Sequence, residues 1–182
     1  MSPAESDHVL EQARAAEPTY AHVGSTLAPE PRAGAYTDSI DVGTGERDFA
    51  SARDAVQTWV AQRAIGAEIV PADQDVELGA TVILVVRRGP VFFLAVDRVV
   101  AVIDEPRQYS FAYGTLPGHP ERGEESFTVD RLDDDRVRVA IRVEAESSTI
   151  TGRIAGPVMR WIQRAALGRY LRAIADHVER MR

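Results

Sequence analysis

The sequence predicts an α+β fold in which a curved antiparallel β-sheet of about six or seven strands grips a long C-terminal helix. Short β-branched apolar runs separated by turn residues fill the span 67–147, as in consecutive antiparallel strands. One helical pattern precedes them at 49–60, and a longer one follows from 157 to about 181. Because an antiparallel sheet must cover at least one face, the terminal helix is predicted to pack across it.

Length and composition limit the class of protein. The 182 residues fit a single domain, placed at 19–182, with 1–18 as an N-terminal arm or short helix. A net charge of −7 without a basic run argues against a nucleic-acid partner. The absence of cysteine excludes disulfides and thiolate chemistry. No apolar run is long enough to span a membrane and no secretory leader is visible, so we expect a cytoplasmic protein.

The first forty residues carry weaker signals. Val9, Leu10, Ala13 and Ala16 recur at roughly helical spacing, which fits either a docked helix or a frayed arm. Prolines and glycines break the span 20–37, so we predict a short strand and an irregular crossing there. The segment "YTDSIDVG" alternates weakly and is typical of an edge strand.

The helix at 49–60 has the clearest amphipathic pattern. Its apolar face consists of Phe49, Ala52, Val56, Trp59 and Val60. Asp48 or Ser51 can cap its start, and Gly66 can end it as a C-cap.

The strands that follow differ in how they alternate. Apolar residues occupy both the odd and the even positions of "ATVILVVRR" and "VFFLAVDRVVAVID". This pattern predicts that both faces of the sheet are covered there, and a turn is predicted at 89–90 between the two strands. "RQYSFAYGTL" places Tyr109, Phe111 and Tyr113 on one face. "DDDRVRVAIRVEAE" alternates cleanly between valine or isoleucine and charged residues.

The terminal helix is predicted to begin at Gly156–Pro157 and to carry an apolar stripe that changes side near Gly168. Two interpretations remain open at this point. The helix kinks near Gly168, or its two halves bury against different surfaces. The second surface would be the N-terminal arm or a partner subunit in a homodimer.

Four blocks of the chain carry a family resemblance: "YAHVGST", "VGTGERDFASARDAVQTW", "VAVIDEPRQYSFAYGTLPGHPERGEESFTV" and "GPVMRWIQRAALGRYLRAI". They resemble the bacterial and plant family called domain of unknown function 1990, over roughly 20–174. The order of elements is more distantly similar to the polyketide cyclase and START-like helix-grip proteins. That resemblance implies a ligand cavity between helix and sheet, but no named activity. "VEAESSTITGRIAG" departs from the family pattern, so no site residue is carried over from there.

The stretch "FAYGTLPGHPERGEESF" contains the candidate polar site residues. Its glycines and prolines predict a hairpin tip at which His119 sits. Parity places Tyr113 and Glu125 just inside the mouth, on one face of the sheet. Three interpretations of this stretch remain open. In the first, Glu125 pairs with Arg107, Arg122 or Arg142, and His119 is solvated. In the second, the hairpin forms the mouth of a ligand pocket, and in the third, Glu125 and His119 act as acid and base.

The function that these patterns favour is binding of a small, largely apolar molecule between sheet and helix. The predicted ligand-binding residues are Trp59, Phe93, Tyr109, Phe111, Tyr113, His119, Glu125 and Trp161. The alternatives are a cyclase- or hydrolase-like enzyme that uses Glu125 and His119, and a structural protein whose terminal helix binds a partner. The four histidines show no metal-ligand spacing, so neither a metal nor a cofactor is predicted.

Overall fold

In the computed structural model, which describes residues 3–88, 91–147 and 156–182, seven antiparallel strands form one sheet in the order β1-β7-β6-β5-β4-β3-β2. The strands are β1 Tyr36–Thr44, β2 Ala67–Val70, β3 Thr81–Arg88, β4 Val91–Glu105, β5 Gln108–Thr115, β6 Glu121–Arg131 and β7 Arg136–Ser147. β2 to β7 form a continuous meander, and β1 pairs with β7 at the edge, as predicted. The predicted turn at 89–90 lies outside the described residues.

Within the described ranges, four α-helices accompany the sheet: α1 Pro3–Ala15, α2 Gly45–Gln57, α3 Val60–Ala64 and α4 Gly156–Arg180. A single 3-10 turn, Ser25–Leu27, lies between α1 and β1. The predicted fold class, a seven-stranded antiparallel sheet with a long C-terminal helix, is therefore confirmed.

The larger core lies on the face of the sheet covered by α2, α3 and α4, which we call the inner face. Phe111 stacks on Phe127 with ring centroids 5.3 Å apart, and Trp59 meets Phe111 edge-on at 5.6 Å. Tyr170 of α4 continues this row, with its ring 5.9 Å from that of Phe127. Such offset and edge-to-face aromatic pairs add specific geometry to a large burial of apolar area.

The opposite, outer face is covered by the N-terminal residues. Leu10 and Ala13 of α1 are buried in a second cluster with Ile83, Val85, Val96 and Leu116. Arg98 holds the end of α1, because its guanidinium donates to the carbonyls of Ala13 at 2.6 Å and Ala16 at 3.0 Å. Of the two predicted states of the arm, the structure has the docked helix. The apolar character of β3 and β4 on both parities follows from this double cover.

Two local predictions were wrong. The short strand expected near Tyr20 does not form: residues 19–32, which we call the strap, run across the outer face through turns and the 3-10 turn. Apart from the Thr19 N–H, which donates to the Thr115 carbonyl of β5 at 3.0 Å, its polar groups bond mainly to side chains of the sheet. The helix expected at 49–60 begins earlier and is interrupted, because Trp59 adopts a left-handed φ of 61° between α2 and α3.

The start and the end of the helical layer are linked. At the N-terminus of α2, the Asp48 carboxylate accepts from the Thr44 N–H at 2.8 Å. The same carboxylate receives Arg182 at 2.8 Å, and this guanidinium lowers the pKa of Asp48. Gly66 follows α3 with a φ of 84°, in agreement with the predicted C-cap.

α4 continues through Gly168 without interruption from Gly156 to Arg180. Its second half buries Leu167, Leu171, Ile174 and Val178 against the inner face. The side chains of 156–165 lie outside the described residues. The interpretation that they bury against a different surface is therefore still a prediction.

Candidate functional site

The β5–β6 hairpin separates two adjacent glutamates. Tyr113 pairs with Glu125 and Gly114 pairs with Glu124 in the antiparallel register. Since successive side chains of a strand point to opposite faces, Glu125 faces inward and Glu124 faces outward.

Glu124 anchors the strap to the outer face. It is only 2 % exposed. Its carboxylate accepts from the Tyr20 hydroxyl and the Gly24 N–H, both at 2.7 Å, and from the N–H and hydroxyl of Thr26. Gly114 is required beneath this contact, because a Cβ there would overlap the Tyr20 ring. Glu124 therefore has a structural role that fully occupies its carboxylate.

Glu125 lies on the wall of a pocket of about 200 Å³ between α4 and the inner face. The apolar part of the wall consists of Ile65, Ala67, Leu84, Val86, Ala95, Val143, Ala145, Ala166 and Leu167. Asp97, Tyr113, His119 and Glu125 line the same pocket, and we call these four residues the polar cluster. The pocket thus has an apolar wall and a concentrated group of titratable side chains.

Within the polar cluster, the Tyr113 hydroxyl donates a hydrogen bond to the Glu125 carboxylate. Burial raises the pKa of Glu125 to about 7, while the bond from Tyr113 opposes that rise. The interpretation in which Glu125 pairs with an arginine does not hold for Arg107 or Arg142. Their guanidiniums donate instead to backbone carbonyls.

Asp97 is the member of the cluster that the sequence patterns did not identify. It is 1 % exposed, and neither carboxyl oxygen has a hydrogen-bond partner among the described residues. Burial raises its pKa well above the usual range, and the nearby charge of Glu125 adds to the rise. The available signal was one acidic residue inside the otherwise apolar run "VFFLAVDRVVAVI", which an apolar core strand does not need.

His119 closes the cluster from the hairpin tip and faces Asp97. The Glu121 backbone holds the ring, since Nδ1 lies 2.9 Å from the Glu121 amide nitrogen and 3.1 Å from the Glu121 carbonyl oxygen. Nε2 lies 3.8 Å from the Asp97 carboxyl. Burial lowers the pKa of His119 to about 4, so at neutral pH the imidazole is uncharged and this contact is not an ion pair.

The other predicted ligand-binding residues lie elsewhere. Trp59, Tyr109 and Phe111 are buried in the packed core and do not line the pocket. Phe93 lies towards the start of β4 with 55 % of its surface exposed. The side chain of Trp161 lies outside the described residues. Of the eight predicted residues, the pocket brings together Tyr113, His119 and Glu125.

The described ranges contain neither a metal-binding cluster nor a membrane-spanning helix. No group of three His, Asp or Glu side chains there is arranged to hold a metal ion. No helix in those ranges is long and apolar enough to cross a membrane.

Comparison with known proteins identifies sequence relatives. The sequence model of a family described as "Domain of unknown function (DUF1990)" matches residues 19–173. A protein of Deinococcus radiodurans described as a UPF0548 protein is 32% identical over 191 residues, covering 95% of this chain and 93% of the relative.

Solved structures share the fold at low sequence identity. A hypothetical protein from Helicobacter pylori matches with a TM-score of 0.57 and 10% identity, covering 90% of this chain and 99% of that one. The Zhui aromatase/cyclase of a Streptomyces species matches with a TM-score of 0.53 and 13% identity, covering 80% of this chain and 93% of that one. Both likenesses concern the fold alone, and they confirm the helix-grip architecture predicted from the sequence.

Proposed function

The chain belongs to the family described as Domain of unknown function (DUF1990), and we propose that it binds a small, largely apolar molecule in the pocket between α4 and the sheet. The observation that carries this proposal is the composition of the pocket wall. Small-molecule sites are typically apolar concavities with a few convergent polar groups, and this wall combines aliphatic side chains with the polar cluster.

The size of the pocket narrows the class of molecule. A cavity of roughly 150 Å³ in another protein is large enough to bind benzene. A pocket of about 200 Å³ therefore suits one aromatic or alicyclic ring with a short polar substituent. The likeness in fold to an aromatase/cyclase is compatible with a ring-shaped occupant.

Native mass spectrometry of gently purified protein tests the proposal for natural occupants. We expect an added mass that disappears when the same sample is denatured. In parallel, 2-phenylethanol should shift the amide NMR signals of residues 95–97, 113–125 and 166–170, which border the pocket. An apo mass together with no shift up to the solubility of the alcohol would contradict the proposal.

An acid/base enzyme is the second candidate, because a carboxyl with a pKa of about 7 lines the pocket and can accept or donate a proton at neutral pH. Glu125→Gln separates the two functions. A binding protein should carry either the same occupant or a reduced amount of it in this variant, with no species of new mass. An enzyme should instead accumulate a substrate of different mass, since the proton-transfer group is missing.

A further inference from the structure

We propose that the pocket selects a small organic cation, a ring-bearing primary amine, whose ammonium group is received by the carboxyls of Asp97 and Glu125. This inference rests on the proposed function and names the class of molecule that the same pocket takes.

The first step concerns charge. Asp97, Glu121 and Glu125 are acidic residues on the pocket wall, and the described lining residues include no arginine, although the chain has 21 basic residues and all are arginines. His119 is the basic side chain of that lining, and its lowered pKa keeps it neutral at pH 7. An anionic molecule would therefore find no cationic partner among the described lining residues, and it would oppose ionisation of the nearby carboxyls.

The second step concerns Asp97. A buried carboxyl whose two oxygens lack donors is costly, and native structures seldom keep one without a reason. Asp97 lines the pocket and is 1 % exposed, with neither oxygen bonded to a described residue. Its unused acceptor positions are therefore available to a donor that enters the pocket.

The third step is that nearby protein donors are already engaged. The Tyr113 hydroxyl donates to Glu125. The Thr115 hydroxyl oxygen accepts from the Gly123 N–H at 3.0 Å and lies 2.7 Å from the Thr19 hydroxyl. His119 Nε2 lies 3.8 Å from Asp97, too far for a normal hydrogen bond. The acceptor positions of Asp97 are thus open to donors that an occupant of the pocket brings.

An ammonium group supplies both the hydrogen-bond donors that Asp97 lacks and the positive charge that the described lining lacks. It carries three N–H donors and one positive charge, whereas a hydroxyl carries one donor and no charge. Its arrival compensates the charge of ionised Asp97 and Glu125, so these carboxyls should lose protons when the amine binds. The titratable groups that act on Asp97 electrostatically or face it are Glu121, Glu125, His119, Tyr20, Tyr113 and Tyr170.

Three probes of nearly equal size test the inference: 2-phenylethylamine, 2-phenylethanol and phenylacetate. Isothermal titration at pH 6.5, in two buffers of different ionisation enthalpy, gives the Kd and the number of protons released. We expect the amine to bind at least tenfold more tightly than the alcohol and to release protons. The alcohol should release none, and phenylacetate should show no measurable binding.

Asp97→Asn should remove the preference for the amine while leaving the Kd of 2-phenylethanol within about threefold. The matched control is Asp130→Asn, which changes a partly buried acidic residue on the outer face. This control should keep the preference. If Asp97→Asn fails to fold, Glu125→Gln takes its place in the same titrations. We then expect a smaller loss of the preference for the amine over the alcohol, and fewer protons released when the amine binds.

Failure of the inference and failure of the proposed function give different results. Equal Kd values for amine and alcohol, or a preference that survives Asp97→Asn, would overturn the cation inference and leave small-molecule binding intact. If none of the three probes binds the wild-type protein, both the inference and this pocket as a binding site are rejected.

Discussion

Glu124 and Glu125 are neighbours of identical chemistry whose roles are separated by the pleat of one strand. Glu124 is satisfied by donors of the strap, and Glu125 lines the pocket beside Tyr113. The difference arises because only one of the two faces meets a segment that can supply backbone N–H donors. Burial of a carboxyl therefore produces an anchor in one case and a titrating group in the other.

The polar cluster predicts two opposed contributions to the pH dependence of stability. The pKa of Glu125 is raised from 4.5 to about 7, so its contribution is fully present below pH 4.5 and is lost as the pH rises to 7. The pKa of His119 is lowered from 6.5 to about 4, so its contribution is present above pH 6.5 and is lost as the pH falls to 4. Between pH 4.5 and 6.5 the two contributions oppose each other.

Glu125→Gln should reveal the histidine contribution. Relative to wild type, its free energy of unfolding should rise by on the order of 2 kcal/mol between pH 4.5 and 7. His119→Gln should show the reverse trend, gaining relative stability as the pH falls from 6.5 to 4. Urea unfolding at four pH values measures both, with the exposed Glu11→Gln as control. Parallel pH curves for wild type and Glu125→Gln would contradict a raised pKa at Glu125.

At the scale of elements, two carboxylates hold the strap, and Glu124 of β6 is the more deeply buried of the two and accepts from more donors. Glu124→Gln removes the negative charge from a buried site with four donors, so we expect a loss of about 2–4 kcal/mol of stability. Protease cleavage within 19–32 should become faster than cleavage in β3 or β4. Urea unfolding and limited proteolysis followed by mass spectrometry measure the two effects.

The matched control for this prediction is Glu144→Gln. Glu144 also faces outward and accepts from Ser25 at 2.7 Å and from the Arg32 N–H at 3.2 Å, but it is less buried than Glu124. Its replacement should cost less than that of Glu124, because Glu144 accepts from fewer donors. Equal losses for the two variants would mean that the strap is held by general packing rather than by Glu124.

For the whole molecule, the features that the sequence predicted correctly are those that depend on residues close together in the chain. The order of the meander, the edge position of β1 and the terminal helix follow from alternation, turn residues and a continuous helical run. Parity also placed Tyr113 and Glu125 on one face, where the sheet has them. The apolar parities of β3 and β4 predicted cover on both faces without identifying what covers the outer one.

The remaining features depend on contacts between residues far apart in sequence. The strap is fixed by Glu124, about a hundred residues away. The residues around Tyr20 themselves therefore carried no signal that argued against a strand there. Trp59 breaks the helix because its ring packs into the aromatic core and its indole N–H donates to the Gln74 carbonyl at 2.7 Å. Asp97 is visible in the sequence as a single acidic residue, but only the fold shows that it faces a pocket.

The pocket also makes a prediction about the molecule as a whole, because empty volume in a core reduces stability and is available to a ligand. Ala95→Leu adds three carbon atoms to the pocket wall. We expect binding of 2-phenylethanol to weaken at least tenfold, with stability unchanged or raised by roughly 0.5–2 kcal/mol.

Ala101→Leu is the matched control for this prediction, since Ala101 pairs with Ala112 beyond the β4 bulge and belongs to the outer face. It should leave the Kd of the alcohol unchanged, which titration calorimetry and thermal unfolding of both variants would measure. If Ala95→Leu instead binds the alcohol as well as wild type does, the molecule occupies another site. Asp97 would then need a structural explanation, because its two unbonded oxygens would no longer face a ligand.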